Sequence, residues 1–145
     1  MIPLLLLQVS MFSAYVQEAG FRLQVPNTSV QVVTVTPERK QLAWVWNCSR
    51  PYDWGCGTPV VYIADDVVNA PTAVLRYLAY HEVCHLKLKH NTIPIPKGVP
   101  EEFHTAVRDC LREVLGPGPS WALEGQFNLY AHTVKLQRRQ RFSQP

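Results

Sequence analysis

The sequence predicts a single α+β domain over residues 1–145, with a small sheet of about three strands, one buried helix bearing a candidate metal site, and two or three further helices. Three observations predict it. β-branched and aromatic runs lie at 30–36, 41–46 and 60–64, each bounded by turn-forming residues. Apolar residues recur at three- and four-residue steps over 71–86, 100–115 and 120–134, the spacing of helices with one face buried. The composition, 47% hydrophobic against 17% charged, is that of a chain that folds around a core rather than one that stays disordered.

The first segment, Met1-Ile-Pro-Leu-Leu-Leu-Leu7, is apolar but has no basic start and no small-x-small cleavage site, and it is too short to span a bilayer. It is expected to enter the core and lead into a helix through Tyr15, Val16 and Ala19, ending at Gly20. Val30-Gln-Val-Val-Thr-Val-Thr36 then reads as a strand with no strongly polar face, and so as one that is largely covered. Gln41-Leu-Ala-Trp-Val-Trp46 reads as a second strand, and the short spacer between the two allows a hairpin. Val60–Ala64 reads as a third, placed directly before the next helix and expected to offer an edge to an extended peptide.

That helix is the informative one. Asn69 is the expected cap, and Pro71 sits in the first turn, where its missing N–H costs nothing. Leu75, Ala79, Val83 and Leu86 form one apolar stripe, while Val74 and Leu78 add a second side, so the helix is expected to be central and mostly buried. It carries His81-Glu-Val-Cys-His85. Residues four apart share a helix face, so His81 and His85 can direct ring nitrogens at one ion. Glu82 lies about 100° further round, poorly placed as a third ligand on that turn but within reach of a water on the metal. Hydrolysis needs this division of labour, in which a metal acidifies water and polarises a carbonyl while a carboxylate moves the proton. Two His and a Glu suit zinc, and the pattern is that of zinc peptidases. Cys84, about 60° from His81 on the wheel, reads as a small buried thiol rather than a ligand.

Two longer stretches carry a family likeness. Asp53-Trp-Gly-Cys-Gly-Thr-Pro-Val-Val-Tyr-Ile-Ala-Asp-Asp66 and Ala70-Pro-Thr-Ala-Val-Leu-Arg-Tyr-Leu-Ala-Tyr-His-Glu-Val-Cys-His-Leu-Lys87 resemble the SprT-like and YgjP-type metallopeptidases over roughly residues 50 to 114. Trp54-Gly55-Cys56-Gly57 departs from that family's Trp-Gly-Ser-Cys by moving the cysteine one place. The resemblance implies a zincin-like minimal core, zinc on His81 and His85, and Glu82 as general base in peptide hydrolysis. The family's third histidine is six residues beyond the motif. Here His90 comes five residues after His85 and is followed by an additional proline-rich stretch, Asn91-Thr-Ile-Pro-Ile-Pro-Lys-Gly-Val99. On an unbroken helix His90 would face away from His81, at about 180°, so it can ligate only if the helix breaks near Lys89. His90 is the first candidate for the third ligand. His104, in the first turn of the following helix, and Glu101 or Glu102 remain the alternatives.

The remaining chain reads as scaffold. Phe103, Val107, Leu111 and Val114 are helically spaced up to Gly116-Pro-Gly-Pro119, after which Ser120 can cap a last helix with Leu123, Phe127, Tyr130 and Val134 on one stripe. His132 falls off that stripe and reads as a surface residue. Cys48, Cys56, Cys84 and Cys110 show no paired spacing, which favours reduced thiols and a cytoplasmic protein. The net charge of +3 is local: Lys135, Arg138, Arg139 and Arg141 supply four of 14 basic residues, and the 10 left face 11 acidic ones. Residues 135–145 are expected to form a solvated basic tail, with nucleic acid or an acidic partner protein as the candidate contact and no membrane. Two functions follow: a zinc peptidase acting on a peptide or protein, or a catalytically silent binding or regulatory protein on the same scaffold.

Overall fold

The structure, a computed structural model, describes residues 4–45, 59–89 and 101–143, with the side chains of 4–10 and 101 left out of account. In chain order the elements are α1 (Leu4–Leu23), β1 (Ser29–Val33), β2 (Ala43–Val45), β3 (Val60–Ala64), α2 (Thr72–Lys87), α3 (Glu101–Leu115) and α4 (Pro117–Ser143). This is the expected α+β arrangement, a three-stranded mixed sheet with four helices. No helix of the described residues is long and apolar enough to cross a membrane.

α1 buries Phe12, Val16, Ala19 and Leu23, one stripe at three- and four-residue steps. It runs past Gly20 to Leu23. Gly20 serves a close approach instead of a stop. A Cβ there would lie 2.6 Å from the Val25 carbonyl oxygen, which is held near because the Val25 N–H donates to the Gly20 carbonyl at 2.8 Å.

The sheet order is β1-β3-β2, with β1 parallel and β2 antiparallel to β3. The expected hairpin between the first two strands is therefore absent, because β3 inserts between them. β3 has the best inward alternation of the three, with Val61 and Ile63 fully buried, and pairing on both sides satisfies its backbone. It is the central strand, not an edge. β1 is an edge, and Val32 is 36% exposed, so the run expected to be covered is half open. On the outward face Trp44 stacks on Tyr62 at 5.8 Å, and the Arg39 guanidinium lies 4.1 Å from the Trp44 ring centre. Trp46 lies outside the described residues.

α2 is the buried central helix, packed against α1, α3, α4, β2 and β3. Its N-cap is Pro71, whose carbonyl accepts from Val74 and Leu75 at 2.9 and 3.0 Å; Asn69 makes no side-chain cap. Two prolines sit in the first turn of α4, which starts at Pro117 and not at Ser120. First-turn N–H groups have no helical acceptor, so prolines cost little there. Gly116, at φ +91°, makes the sharp bend between α3 and α4. Val134 is buried and Leu123, Phe127 and Tyr130 pack against the core, as their spacing predicts.

Two expectations about polar and thiol groups are corrected. Residues 135–143 continue α4, and Arg138 within them is buried. Its Nε and Nη2 each donate to an Asp66 carboxylate oxygen at 2.7 Å, and its Nη1 donates to the carbonyls of Gln41 at 3.1 Å and Arg39 at 3.3 Å. One side chain thus ties α4 to the turn before α2 and to the segment leading into β2. The exposed cations of the segment are Lys135, Arg139 and Arg141. Arg138→Ala leaves Asp66 without its partner in a mostly buried site, and the expected cost is on the order of 3 kcal/mol or more. Thermal unfolding should show it as a fall in Tm of roughly 6–12 °C for a chain of this size, and an unchanged Tm would reduce the clamp to a surface contact.

Cys84 is not a free thiol. It is joined to Cys110 in a disulfide between α2 and α3, with Cα atoms 6.1 Å apart. The partners are 26 residues apart on different helices, so no local spacing marks them. Cys48 and Cys56 lie outside the described residues.

Candidate metal centre

α2 sets the site by its periodicity. Tyr77, His81 and His85 lie at four-residue steps and therefore on one face. Tyr77 and His81 line a cleft of about 660 Å³, walled by α3 through His104 and Arg108, by α4 through Glu124 and Asn128, and by the segment entering β2. The cleft floor is apolar, with Leu78, Val107 and Leu111. Tyr77 stacks on Phe127 at 4.7 Å and leans on the His81 ring at 5.7 Å, so the imidazole is braced from one side by aromatic packing.

His81 Nε2 and His85 Nε2 are 3.2 Å apart, and a Glu82 carboxylate oxygen is 4.0 Å from His81 Nε2. The three residues offer ligand atoms that all lie within 4.8 Å of one another. Among the described residues no other group of His, Cys, Asp or Glu meets that condition. Tetrahedral coordination at zinc–nitrogen bonds of about 2.0–2.1 Å puts two ligand nitrogens roughly 3.3 Å apart, so the histidine pair has the separation an ion requires. Two neutral rings sharing one N–H would also sit at this distance.

The electrostatics favour a cation. Burial, with the charge of His104 adding to it, pushes the His81 imidazole down from 6.5 to about 4, so the ring is neutral at physiological pH. His81 Nδ1 is fully buried and has no hydrogen-bond partner among the described residues, although the residue lines the cleft. The tautomer that offers the Nε2 lone pair carries its proton on this unpaired Nδ1, at a cost of about 1–3 kcal/mol that a bound cation offsets. Burial raises the Glu82 carboxyl well above its usual range. A cation beside it would reverse that preference.

Without metal, these shifts predict a pH signature. Glu82 keeps its proton longer in the folded state than in the unfolded one, so folding stability falls as pH rises above 4.5. His81 acts the other way between about 4 and 6.5, where the unfolded chain binds the extra proton and stability rises with pH. Above 6.5 the His81 effect has ended and no longer opposes that of Glu82. Glu82→Gln removes it. The metal-free variant is therefore expected to gain in Tm over the metal-free parent, more at pH 8 than at pH 5. A gap that does not grow with pH would mean Glu82 is not held protonated.

The third-ligand candidates are distributed as follows. His90 lies outside the described residues. α2 does stop before it, with Leu88 as C-cap and Lys89 in the left-handed region at φ 59°, so the break on which its ligation depends is present. His104 is on the cleft wall in the first turn of α3, outside the three-residue cluster. Glu102 is exposed, and the side chain of Glu101 is not described. His132 is exposed on the cleft rim, together with Lys40 and Lys135.

Tyr77 was missed as a site residue, although the four-step periodicity that pairs His81 with His85 also reaches it. Burial and the nearby Glu124 carboxylate push its phenol up to about 12, so it remains a hydrogen-bond donor at any physiological pH. The α4 wall could not be seen locally, because Glu124 and Asn128 reach the cleft only through the packing of that helix. Comparison with known family models, curated proteins and solved structures yields no match to this chain, so its assignment rests on the site itself.

Proposed function

We propose that the chain is a zinc-dependent peptidase built on a zincin-like minimal core, as the resemblance to SprT-like and YgjP-type proteins implies. One observation carries the reading. Two histidine Nε2 atoms lie 3.2 Å apart with a buried glutamate beside them, and His81 and Glu82 of this group line a cleft of about 660 Å³.

His81 and His85 would hold the zinc, and a third protein ligand from His90, His104 or a glutamate would complete it. When bound, the ion supplies a water acidified to near neutrality and a Lewis acid for the scissile carbonyl. Glu82 takes a proton at its carboxylate and returns it to the leaving amine. Its burial keeps bulk water from competing for that proton and leaves its basicity responsive to the ion. Of the cleft's side-chain donors, we take the Tyr77 hydroxyl and His104 as those available to negative charge developing on the carbonyl oxygen.

Substrate would lie along β2, not along β3. Among the described residues β2 pairs only with β3, and Leu42 and Ala43 at its start line the cleft, so its outer edge can receive an extended backbone next to His81. The test is cleavage of unfolded protein or a peptide library by metal-loaded chain, abolished by a chelator and restored by zinc. A chain that binds zinc and peptide yet never cleaves would support the silent-scaffold alternative.

A further inference from the structure

We infer that the Cys84–Cys110 disulfide is a thiol–disulfide exchange site, opened at Cys110 Sγ by an external dithiol, and that opening it weakens the metal centre; the second half rests on the metal-binding reading above. Three observations lead there. The two sulfurs differ in access. Cys84 is fully buried beside His85, whereas Cys110 is partly exposed and lines a second cleft, of about 740 Å³, with Arg22, Leu88, Ala106 and Val114. That cleft shares no lining residue with the one that holds His81 and Glu82, so a reductant reaches the bond without entering the metal site.

The bridge also encloses the missing ligand. It joins residues 26 apart, and His90, Glu101, Glu102 and His104 all fall between them. Every candidate for the third ligand is therefore on a segment closed at both ends against the helix that carries the first two. Finally, α3 packs against α2 and α4, and the cross-link fixes it to α2 covalently. Phe103, Val107 and Leu111 are its buried side chains among the described residues, and Val114 and Leu115 pack against the core. Cutting the bridge removes the covalent tie between the helix that carries His81 and His85 and the helix that places His104 on the cleft wall, and so loosens the support of the metal centre.

The chemistry balances with a dithiol as reductant. One of its thiolates attacks Cys110 Sγ, the Cys84–Cys110 bond breaks, and Cys84 leaves as a thiolate that takes up a proton. The second thiol then attacks the reductant's own sulfur in the mixed disulfide, releasing Cys110, which is protonated in turn. Two electrons pass to the protein, and the dithiol ends as its cyclic disulfide.

The experiment uses the full chain purified without reductant. Zinc affinity is measured by competition with a chromophoric chelator for oxidised protein, for protein reduced with dithiothreitol, and for the Cys84→Ser, Cys110→Ser double variant; thiols are counted in each. Oxidised protein is expected to bind zinc at least about tenfold more tightly than the other two, the lower end of what disturbing a ligand's support costs. Equal affinity in all three overturns the inference while leaving the metal site standing. No zinc binding in any state overturns both. Brief exposure to a monothiol followed by peptide mapping should place the mixed disulfide on Cys110, and an adduct on Cys84 instead would refute the route of attack. Chemical reduction of the unaltered chain keeps the test independent of whether the double variant folds.

Discussion

Purified wild-type chain is expected to carry close to one zinc ion, and His85→Ala to carry none after dialysis. The expectation follows from the two Nε2 atoms lying 3.2 Å apart, a separation at which both can bind one ion. A site reduced to one imidazole and a carboxyl whose proton burial favours has lost the donor set that suits zinc. The fall in affinity should exceed about 100-fold, the upper end of what is lost when only an outer-shell partner is removed. Elemental analysis of the two proteins side by side decides it. Absence of metal in wild type, even after dialysis against zinc, would leave the His-Glu-x-x-His pattern without its ion and favour a binding protein. The same titration extended to His90→Ala and His104→Ala assigns the third ligand, since only the true one should approach the His85→Ala result.

Glu82→Gln is the second large effect. The amide keeps the size and most of the packing of the carboxyl but can neither accept the substrate's proton nor deliver it. Loss of a positioned general base typically costs on the order of 10²–10⁴-fold in kcat, with zinc content unchanged. Retention of metal separates this variant from His85→Ala. Its raised metal-free stability at alkaline pH separates it from a folding defect. Undiminished cleavage in Glu82→Gln would remove Glu82 from the chemistry and reopen the choice of base. Peptide binding that persists in both proteins, with turnover in neither, would establish the silent scaffold.

Much of the site is legible in one helix. The apolar positions of α2 state that it is buried, and the steps of four through Tyr77, His81 and His85 state which face carries the histidine pair. Both inferences hold because a helix repeats every 3.6 residues whatever surrounds it. β3 is similarly plain, as a short alternating run between turn residues. The strand order was not legible. Two strands close in sequence make a hairpin the economical guess, yet β3 has the most apolar inward face and gains most from pairing on both sides. That competition is settled between strands and leaves no trace within any one of them. Its consequence is functional: the open edge beside the site belongs to β2.

Arg138 and Cys110 show the same limit. A run of Lys, Gln and Arg reads as solvated because charge is costly to bury, and only the arrival of Asp66 and two free carbonyls from far along the chain makes burial of Arg138 affordable. Cys84 reads as a small core residue because its partner lies a whole helix away. What the sequence by itself determined is whatever depends on local period: the helices, β3, and the pairing of His81 with His85 across one turn. The tertiary structure decided strand order, the partners of Arg138 and Cys84, and the walls of the cleft, because each depends on groups that approach only when the whole chain packs.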